Sequence, residues 1–294
     1  MLYFEIYNSE GKVEQMPVIK GLEWTFNTVA EQYDKWSPDY VAELYEDLFA
    51  YAQIGAGSRA LEIGIGTGQA TRPVLDVGCE VLAVELGDRM AEICREKFRE
   101  YPKFSVVNMP FQDFECPDQS FDLAYSARAF HWIPEEIGYE KVFDALKPGG
   151  VFARMYNHPY PAEGQDDMYD DMQKVYAKYM HNDRRSPAYL QDPSKKLTFA
   201  EKYGPPYSEA DARRRSAIAE KYGFTDIDTK LYYRTRSYTA EEYVGLIGVY
   251  SDHIVMEKDV HRAFDEGICE AIEKHGGIFV LQDTVELNLA RKPR

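Results

Sequence analysis

The chain has 294 residues, 34 of them basic and 50 acidic, for a formal net charge of −16. A hydrophobic content of 45% with 29% charged residues excludes disordered and collagen-like chains, and the length predicts one or two domains of roughly 100–200 residues. The acidic balance opposes a generic nucleic-acid binder, because a phosphate backbone is held mainly by Lys and Arg.

Leu2, Phe4 and Ile6 alternate with polar or aromatic neighbours, and residues 8–11 supply turn formers, so the N-terminus reads as strand, turn, strand. From Trp24 the period becomes helical, with Phe26, Val29, Ala30 and Tyr33 on one face. Ser37-Pro38 breaks this helix, and Pro38 is placed to open a second one carrying Leu44, Leu48 and Tyr51. Strand and helix then alternate from Ser58 to Tyr156. Short apolar runs at 61–63, 81–84, 104–107, 121–125 and 151–153 read as strands. Between them Gly78 closes a helix over 71–77, Asp88 is placed to cap the next, and Pro134 starts a third. Near-continuous apolar strands separated by helices predict a parallel sheet covered on both faces.

Residues 158–216 differ. One amphipathic helix carries Met168, Met172, Val175, Tyr176 and Tyr179, and the rest is charged and broken by prolines, which predicts a helical insertion or lid. Beyond it come a strand near Tyr232-Tyr233, helices near 240–249 and 260–274, and a last strand over 278–289. The pentapeptide AEKYG at 200–204 and 219–223 is too short to mark a repeat.

Cys79, Cys94, Cys116 and Cys269 have neither CxxC spacing nor histidines at zinc-finger spacing, so no metal site is expected. Isolated thiols suit a reducing compartment. No run of about 18 apolar residues and no signal-like N-terminus occur, so a cytoplasmic protein without membrane attachment is the expectation.

The sharpest local signal is Leu61-Glu-Ile-Gly-Ile-Gly-Thr-Gly-Gln69. Glycines directly after a first strand let the backbone approach a ligand, and the following helix aims its N-terminal N–H groups at the same place. Glu85 ends the second strand, where an acid can accept both hydroxyls of a ribose. Dinucleotides and S-adenosylmethionine both fit this half. The spacing is G-x-G-x-G rather than G-x-G-x-x-G, with Ala70 near the last small position, so it discriminates only in part.

With these residues in view, the chain resembles the class I S-adenosylmethionine-dependent methyltransferases of small-molecule type, similar to trans-aconitate methyltransferases and methyltransferase type 11 proteins. Four stretches carry the resemblance: Glu62-Ile-Gly-Ile-Gly-Thr-Gly68; Val84-Glu85-Leu86; Ser120-Phe-Asp-Leu-Ala-Tyr-Ser126 with Ala129-Phe-His-Trp132; and Leu146-Lys-Pro-Gly-Gly150. Tyr33-Asp-Lys-Trp-Ser-Pro-Asp-Tyr40 also resembles the segment that closes over the cofactor there. The similarity covers residues 24–157 well and the last seventy only in outline. It implies a Rossmann-like, doubly wound α/β fold with a seven-stranded, mostly parallel sheet, an antiparallel last strand and a helical lid insertion. The implied divisions are an N-terminal extension (1–23), the cofactor-binding core with its N-terminal helices (24–157), the insertion (158–216) and the C-terminal part of the core (217–294). The insertion is expected over the C-terminal ends of the strands.

The resemblance also implies roles. Gly64, Gly66 and Gly68 would line the methionine and ribose, and Glu62 would anchor the loop and face the amino group. Glu85 would hold the ribose hydroxyls, Leu86 would lie against the adenine, and Phe111 and Gln112 would border its edge, although similar proteins often carry an acid where Gln112 stands. Ser126 and Ala127 would face the methionine ammonium, and Tyr33 and Tyr40 would shield the cofactor. Similar proteins often carry Arg at the place of Ser37, so a carboxylate clamp is missing there or supplied elsewhere. His131 is the candidate general base, against the competing reading of pocket-wall packing.

Other features have plain readings. Tyr169, Tyr176 and Tyr179 suit helix packing more than a substrate cage. Arg184-Arg185 and Arg213-Arg214-Arg215 suit solvated faces more than anion binding. The expected activity is methyl transfer from S-adenosylmethionine to a small molecule by a monomer or homodimer. An NAD(P)-dependent oxidoreductase, a nucleic-acid or protein methyltransferase, and a non-catalytic cofactor-binding protein remain alternatives. No Asn-Pro-Pro-aromatic motif and no Pro-Cys pair support a nucleic-acid acceptor; Cys116-Pro117 is in the wrong order.

Overall fold

A computed structural model describes residues 21–180 and 206–294, and the backbone of 6–7 and 13–14. The turn at 8–11, Arg184-Arg185, the prolines at 187, 193 and 205 and the first AEKYG at 200–204 lie outside the described residues. The chain forms two compact units. One comprises residues 18–157, 207–232 and 285–294; the other comprises 1–17, 158–206 and 233–284.

The N-terminal segment contributes β1 (Ile6–Tyr7) and β2 (Val13–Glu14), paired antiparallel. The main sheet contains β3 (Arg59–Ile63), β4 (Glu80–Glu85), β5 (Phe104–Asn108), β6 (Phe121–Ala127), β7 (Leu146–Pro161), β8 (Thr225–Thr239) and β9 (Ile278–Arg291). Its order is β5-β4-β3-β6-β7-β9-β8, and the pairs β3–β4, β4–β5, β3–β6 and β6–β7 are parallel. Gly149 and Gly150 exchange backbone hydrogen bonds with Lys292, while Ala162 bonds Val280, so β9 runs antiparallel to β7. Residues 158–161, 233–239 and 278–284 of the three long strands belong to the second unit.

In the first unit, neighbouring strand residues go to opposite faces, as the pleat requires. Ala60, Leu123 and Val151 join one core with Leu44 and Leu48 of α2 (Ala42–Ala52), Val74 of α3 (Thr71–Asp76) and Cys94 of α4 (Asp88–Lys97). Leu61, Ala124 and Phe152 join the other, with Tyr139, Val142 and Ala145 of α5 (Glu135–Ala145). Each fully buried Leu or Phe contributes about 1.5–3 kcal/mol, so helices on both faces are what this strand pattern stabilises.

Two local expectations shift. The first helical stretch is a 3₁₀ segment (Leu22–Val29) running into α1 (Ala30–Trp36). Pro38 does not open α2: Ser37 leaves the helix with extended backbone, and α2 begins at Ala42 after an extended Val41. A residue before proline avoids helical ψ, which ends α1 there.

In the second unit, α6 (Asp166–Tyr179), α8 (Ala240–Ile247) and α10 (Lys258–Lys274) pack around Phe264, Ile268 and Ile272. The other described helices are α7 (Glu209–Ser216), in the first unit, and α9 (Ser251–Ile254), in the second. Of the tyrosines of α6, Tyr169 is a core residue, and Tyr176 and Tyr179 are partly buried against that core. Tyr176 packs edge-on against Phe264 with centroids 5.0 Å apart, Tyr179 does so at 6.5 Å, and Tyr169 stacks on Phe279 at 6.4 Å. Buried Asp283 accepts from Arg234 Nε at 2.9 Å and Arg236 Nη2 at 2.8 Å, tying β8 to β9. Thr239 caps α8: its hydroxyl accepts from Glu242 N at 3.3 Å, and Glu242 accepts from Thr239 N at 2.9 Å. Thr239→Ala is expected to cost about 1 kcal/mol. Urea unfolding followed by circular dichroism measures this, and an unchanged midpoint would remove the cap from the account. No described helix is long and apolar enough to cross a membrane.

Candidate functional site

The first unit carries a pocket of about 960 Å³, including its open mouth, at the C-terminal ends of β3, β4, β5 and β6. Ligands of open α/β sheets bind at these ends, where successive loops diverge. Residues 63–66 and 84–87 form its floor, 109–112 one side and 127–129 the other.

The loop after β3 turns so tightly that only glycine fits. Gly64 has φ +67°, and a Cβ there would lie 2.4 Å from the Cβ of Ala129. Its N–H donates to Val84 O at 2.8 Å, which holds the loop on β4. Gly64→Ala is expected to destabilise the unit by about 2–3 kcal/mol through backbone strain and overpacking. A double-mutant cycle with Ala129→Gly checks the steric part: the second change should recover some of the loss, and strict additivity would contradict the contact.

Glu85 ends β4 and is 7% exposed. One carboxylate oxygen accepts from Gly66 N and the other from Gly87 N, both at 2.8 Å. A carboxylate has about four lone-pair sites, so each oxygen keeps acceptor capacity toward the pocket that Glu85 lines. Burial pushes its pKa up to about 7, against the pull of the backbone donors. Asn108 Nδ2 donates to the carbonyls of Glu85 (3.0 Å) and Leu86 (2.9 Å), and fastens the end of β5 to this corner.

Glu62 stands under the loop, outside the pocket lining. Its Oε2 accepts from Thr71 Oγ1 and Tyr125 OH, both at 2.7 Å, joining the start of α3 to β6. Burial raises its pKa to about 8. Ser126 is likewise buried, with its hydroxyl donating to Ile63 O at 2.7 Å.

The N-terminal segment closes one side. Phe26 packs edge-on against Tyr33 and Trp132, each at 5.8 Å, and all three line the pocket. Asn27 explains the placement: its Oδ1 accepts from Arg89 N at 2.9 Å and its Nδ2 donates to Asp88 Oδ1 at 2.6 Å. The expected cap of α4 is thereby corrected. Gly87 is the N-cap and Asp88 the first helical residue, while Asn27 supplies a side-chain acceptor from 62 residues away.

Of the residues expected from sequence, Tyr33, Tyr40, Gly64, Gly66, Glu85, Leu86, Phe111, Gln112 and Ala127 line the pocket together. Glu62, Gly68, Ser126 and His131 are not among the lining residues. Gly68 instead faces Phe98, whose ring a Cβ would meet at 2.4 Å. His131 sits on a short 3₁₀ turn (Phe130–Trp132), with its ring 5.0 Å from that of Trp132. Burial, then the charges of Arg215 and Arg128, push its pKa down to about 3, so the imidazole is neutral through the physiological range.

Sequence reasoning missed Arg128. It has φ +55°, lines the pocket, and is the one cation among the lining residues described. Its guanidinium donates to Ser37 Oγ and, at 3.5 Å, to Tyr33 OH. The signal was its place directly after Ser126-Ala127 at the end of β6; the left-handed backbone that turns it inward has no mark in the sequence.

Comparison with known proteins points to one family. The family described as a methyltransferase domain matches residues 60–150. An uncharacterised methyltransferase of Geobacillus kaustophilus is 30% identical over 173 residues, covering 51% of this chain and 79% of that one. An uncharacterised methyltransferase of Schizosaccharomyces pombe is 28% identical over 134 residues, 45% of this chain and 52% of its own length, so the match spans about half of that relative. A probable S-adenosylmethionine-dependent methyltransferase of Saccharomyces cerevisiae is 25% identical over 211 residues, with 70% and 67% covered. Among solved structures, Haemonchus contortus phosphoethanolamine N-methyltransferase 2, in complex with phosphomonomethylethanolamine and S-adenosylhomocysteine, aligns with a TM-score of 0.53 at 16% identity, covering 95% of this chain and 62% of that one. An Anaeromyxobacter dehalogenans protein, classed provisionally as a type II methyltransferase, aligns at 0.57 with 18% identity and 87% and 99% coverage. These structures share the fold. Glycine loop, strand-end acid and sequence relatives converge, and the chain belongs to the class I S-adenosylmethionine-dependent methyltransferases.

Proposed function

We propose that this protein transfers the methyl group of S-adenosylmethionine to a small-molecule acceptor by direct displacement at the methyl carbon. The observation that carries the reading is Glu85, held at the end of β4 by two backbone donors with acceptor capacity toward the pocket. On this reading Glu85 would accept the ribose hydroxyls, Leu86 and Phe111 would flank the adenine, and Gln112 would border its edge. Gly64, Gly66 and Ala127 would pass the methionine, and Tyr33 and Tyr40 would cover it. Glu62, Gly68 and Ser126 would hold the loop and strand end from behind. Arg128, a lining residue, would pair with the carboxylate.

When bound, the sulfonium supplies an already activated methyl group. The chain's task is therefore placement: alignment of reactants at near-attack distance can account for about 7–11 kcal/mol of a barrier. Phe26, Tyr33 and Trp132, packed edge to face, would exclude water from one side. His131, neutral and with a pKa near 3, is a weak base. We assign it to the acceptor side as a neutral group rather than to proton abstraction. The net charge of −16 favours a small acceptor over a polyanionic polymer, and the four free cysteines support a reducing, cytoplasmic setting.

Calorimetry with S-adenosylhomocysteine and NAD tests the cofactor half, with binding of the former alone expected. Binding of NAD alone would favour hydride chemistry. Radiolabel transfer from S-adenosylmethionine to a broad small-molecule panel tests turnover, and tight binding without transfer to any member would mark a non-catalytic protein.

A further inference from the structure

We propose that Lys97 is a positioning residue that sets how long the cofactor stays bound, because its ammonium ties α1 to the glycine loop; the inference rests on the methyl-transfer reading above. Lys97 is the last residue of α4. Its Nζ donates to Thr67 O at 2.6 Å and pairs with Asp34 of α1. An ammonium has three donors, so one group makes both bonds at once. All of these residues lie within the first unit.

The two partners are next to the residues that shape the pocket. Thr67 is fully buried and follows Gly66 in the loop. Gly66 N is the donor that holds Glu85 at 2.8 Å, and Gly66 O accepts from Cys94 Sγ of α4 at 3.2 Å. The loop is thus fastened from α4 at two successive carbonyls. Asp34 follows Tyr33, whose Cε1 lies 3.5 Å from where a Gly66 Cβ would stand. Tyr33 therefore rests on the same stretch of loop that Lys97 holds, with both lining residues on the pocket side.

The segment over the pocket has little apolar hold of its own. The 3₁₀ stretch has no buried residue, and α1 buries only Ala30. Its grip on α4 is polar: Asn27 on Asp88 and Arg89, Glu31 on Arg89, and Asp34 on Lys97. Glu31 and Arg89 are 58% and 50% exposed, and a pair so solvated contributes little. Asp34 and Lys97 are 32% and 28% exposed, so water and salt screen them less. Of these contacts, the one through Lys97 also reaches the loop. Bonds that share one group are lost together, so freeing α1 and loosening the loop become one event.

The test uses the full chain and a chase of radiolabelled S-adenosylhomocysteine with excess unlabelled ligand, which reads dissociation; affinity then gives the association rate. Lys97→Met is expected to speed dissociation about 10-fold, as both bonds go, without slowing association. Asp34→Asn, which loses the α1 side alone, should speed it about 2–5-fold. The double variant should match Lys97→Met, because Asp34 acts through Lys97. Lys97→Arg, which keeps a cation, should stay within about threefold of wild type, and Glu31→Gln within about twofold. Asp34→Asn and Glu31→Gln carry the comparison if Lys97→Met unfolds. Unchanged dissociation in both Lys97→Met and Asp34→Asn would overturn the proposal. So would strict additivity in the double variant, a loss carried wholly by slower association, or an effect of Glu31→Gln as large as that of Asp34→Asn. Absence of S-adenosylhomocysteine binding by the wild type would instead fall on the methyl-transfer reading.

Discussion

Replacing Glu85 by alanine is expected to lower the affinity for S-adenosylhomocysteine by about 10²–10⁴-fold. Two hydrogen bonds to a charged acceptor are lost, each contributing about 1.5–3 kcal/mol, and 1.4 kcal/mol is tenfold in binding. Titration calorimetry at pH 8 reads the change, and a loss below about fivefold would place the ribose elsewhere. The same carboxyl predicts a pH dependence. Its pKa of about 7 lies above the ordinary 4.5 because burial disfavours the charged form. Its contribution to folding stability is therefore fully present below pH 4.5 and is lost as the pH rises through about 7. The loss is of order 3 kcal/mol. Ligand hydroxyls donate to the ionised form, so binding should release a proton. Wild-type affinity should fall about tenfold per unit as the pH drops below 7. Calorimetry in buffers of different ionisation enthalpy detects the proton, and a flat profile between pH 5.5 and 8 would contradict the role.

Arg128→Gln is expected to weaken S-adenosylhomocysteine by about 10–100-fold, as one charge-assisted contact in a partly desolvated pocket is removed. The ligand 5′-methylthioadenosine lacks both the carboxylate and the amino group, and its affinity should change less than about twofold. The difference separates a counter-ion from a structural residue, because damage to the Ser37 and Tyr33 contacts would weaken both ligands alike. Equal losses would remove Arg128 as the carboxylate partner.

Much of the binding floor was legible in the chain itself. Gly64, Gly66, Glu85 and Leu86 lie at strand ends whose apolar runs mark them, and a βα turn places its donors within a few residues of its strand. A mostly parallel sheet covered on both faces could be expected for the same reason, since alternating strands and helices pack in few other ways. The roof was not legible: Asn27 caps a helix 62 residues later, and polar side chains far apart in sequence carry no sign of their partner. β7 also continues to Pro161, beyond the strand its apolar run marks, because pairing to β6 and β9 outweighs local composition.

His131 shows the division most clearly. Its place after β6 could be read directly, and a free imidazole there would titrate near 6.5. Its lowered pKa comes first from burial under its neighbours and then from the charges of Arg215, 84 residues away on α7, and Arg128. Sequence alone determined the elements, the glycine loop and the acid that follows it, since these depend on backbone sterics and periodicity over a few residues. The tertiary structure decided which charges share one desolvated space: Arg128 with Tyr33 and Ser37, Arg215 with Tyr156 and Glu286. Desolvation and Coulomb energy depend on distance through space, and only the folded chain brings those groups within a few ångströms.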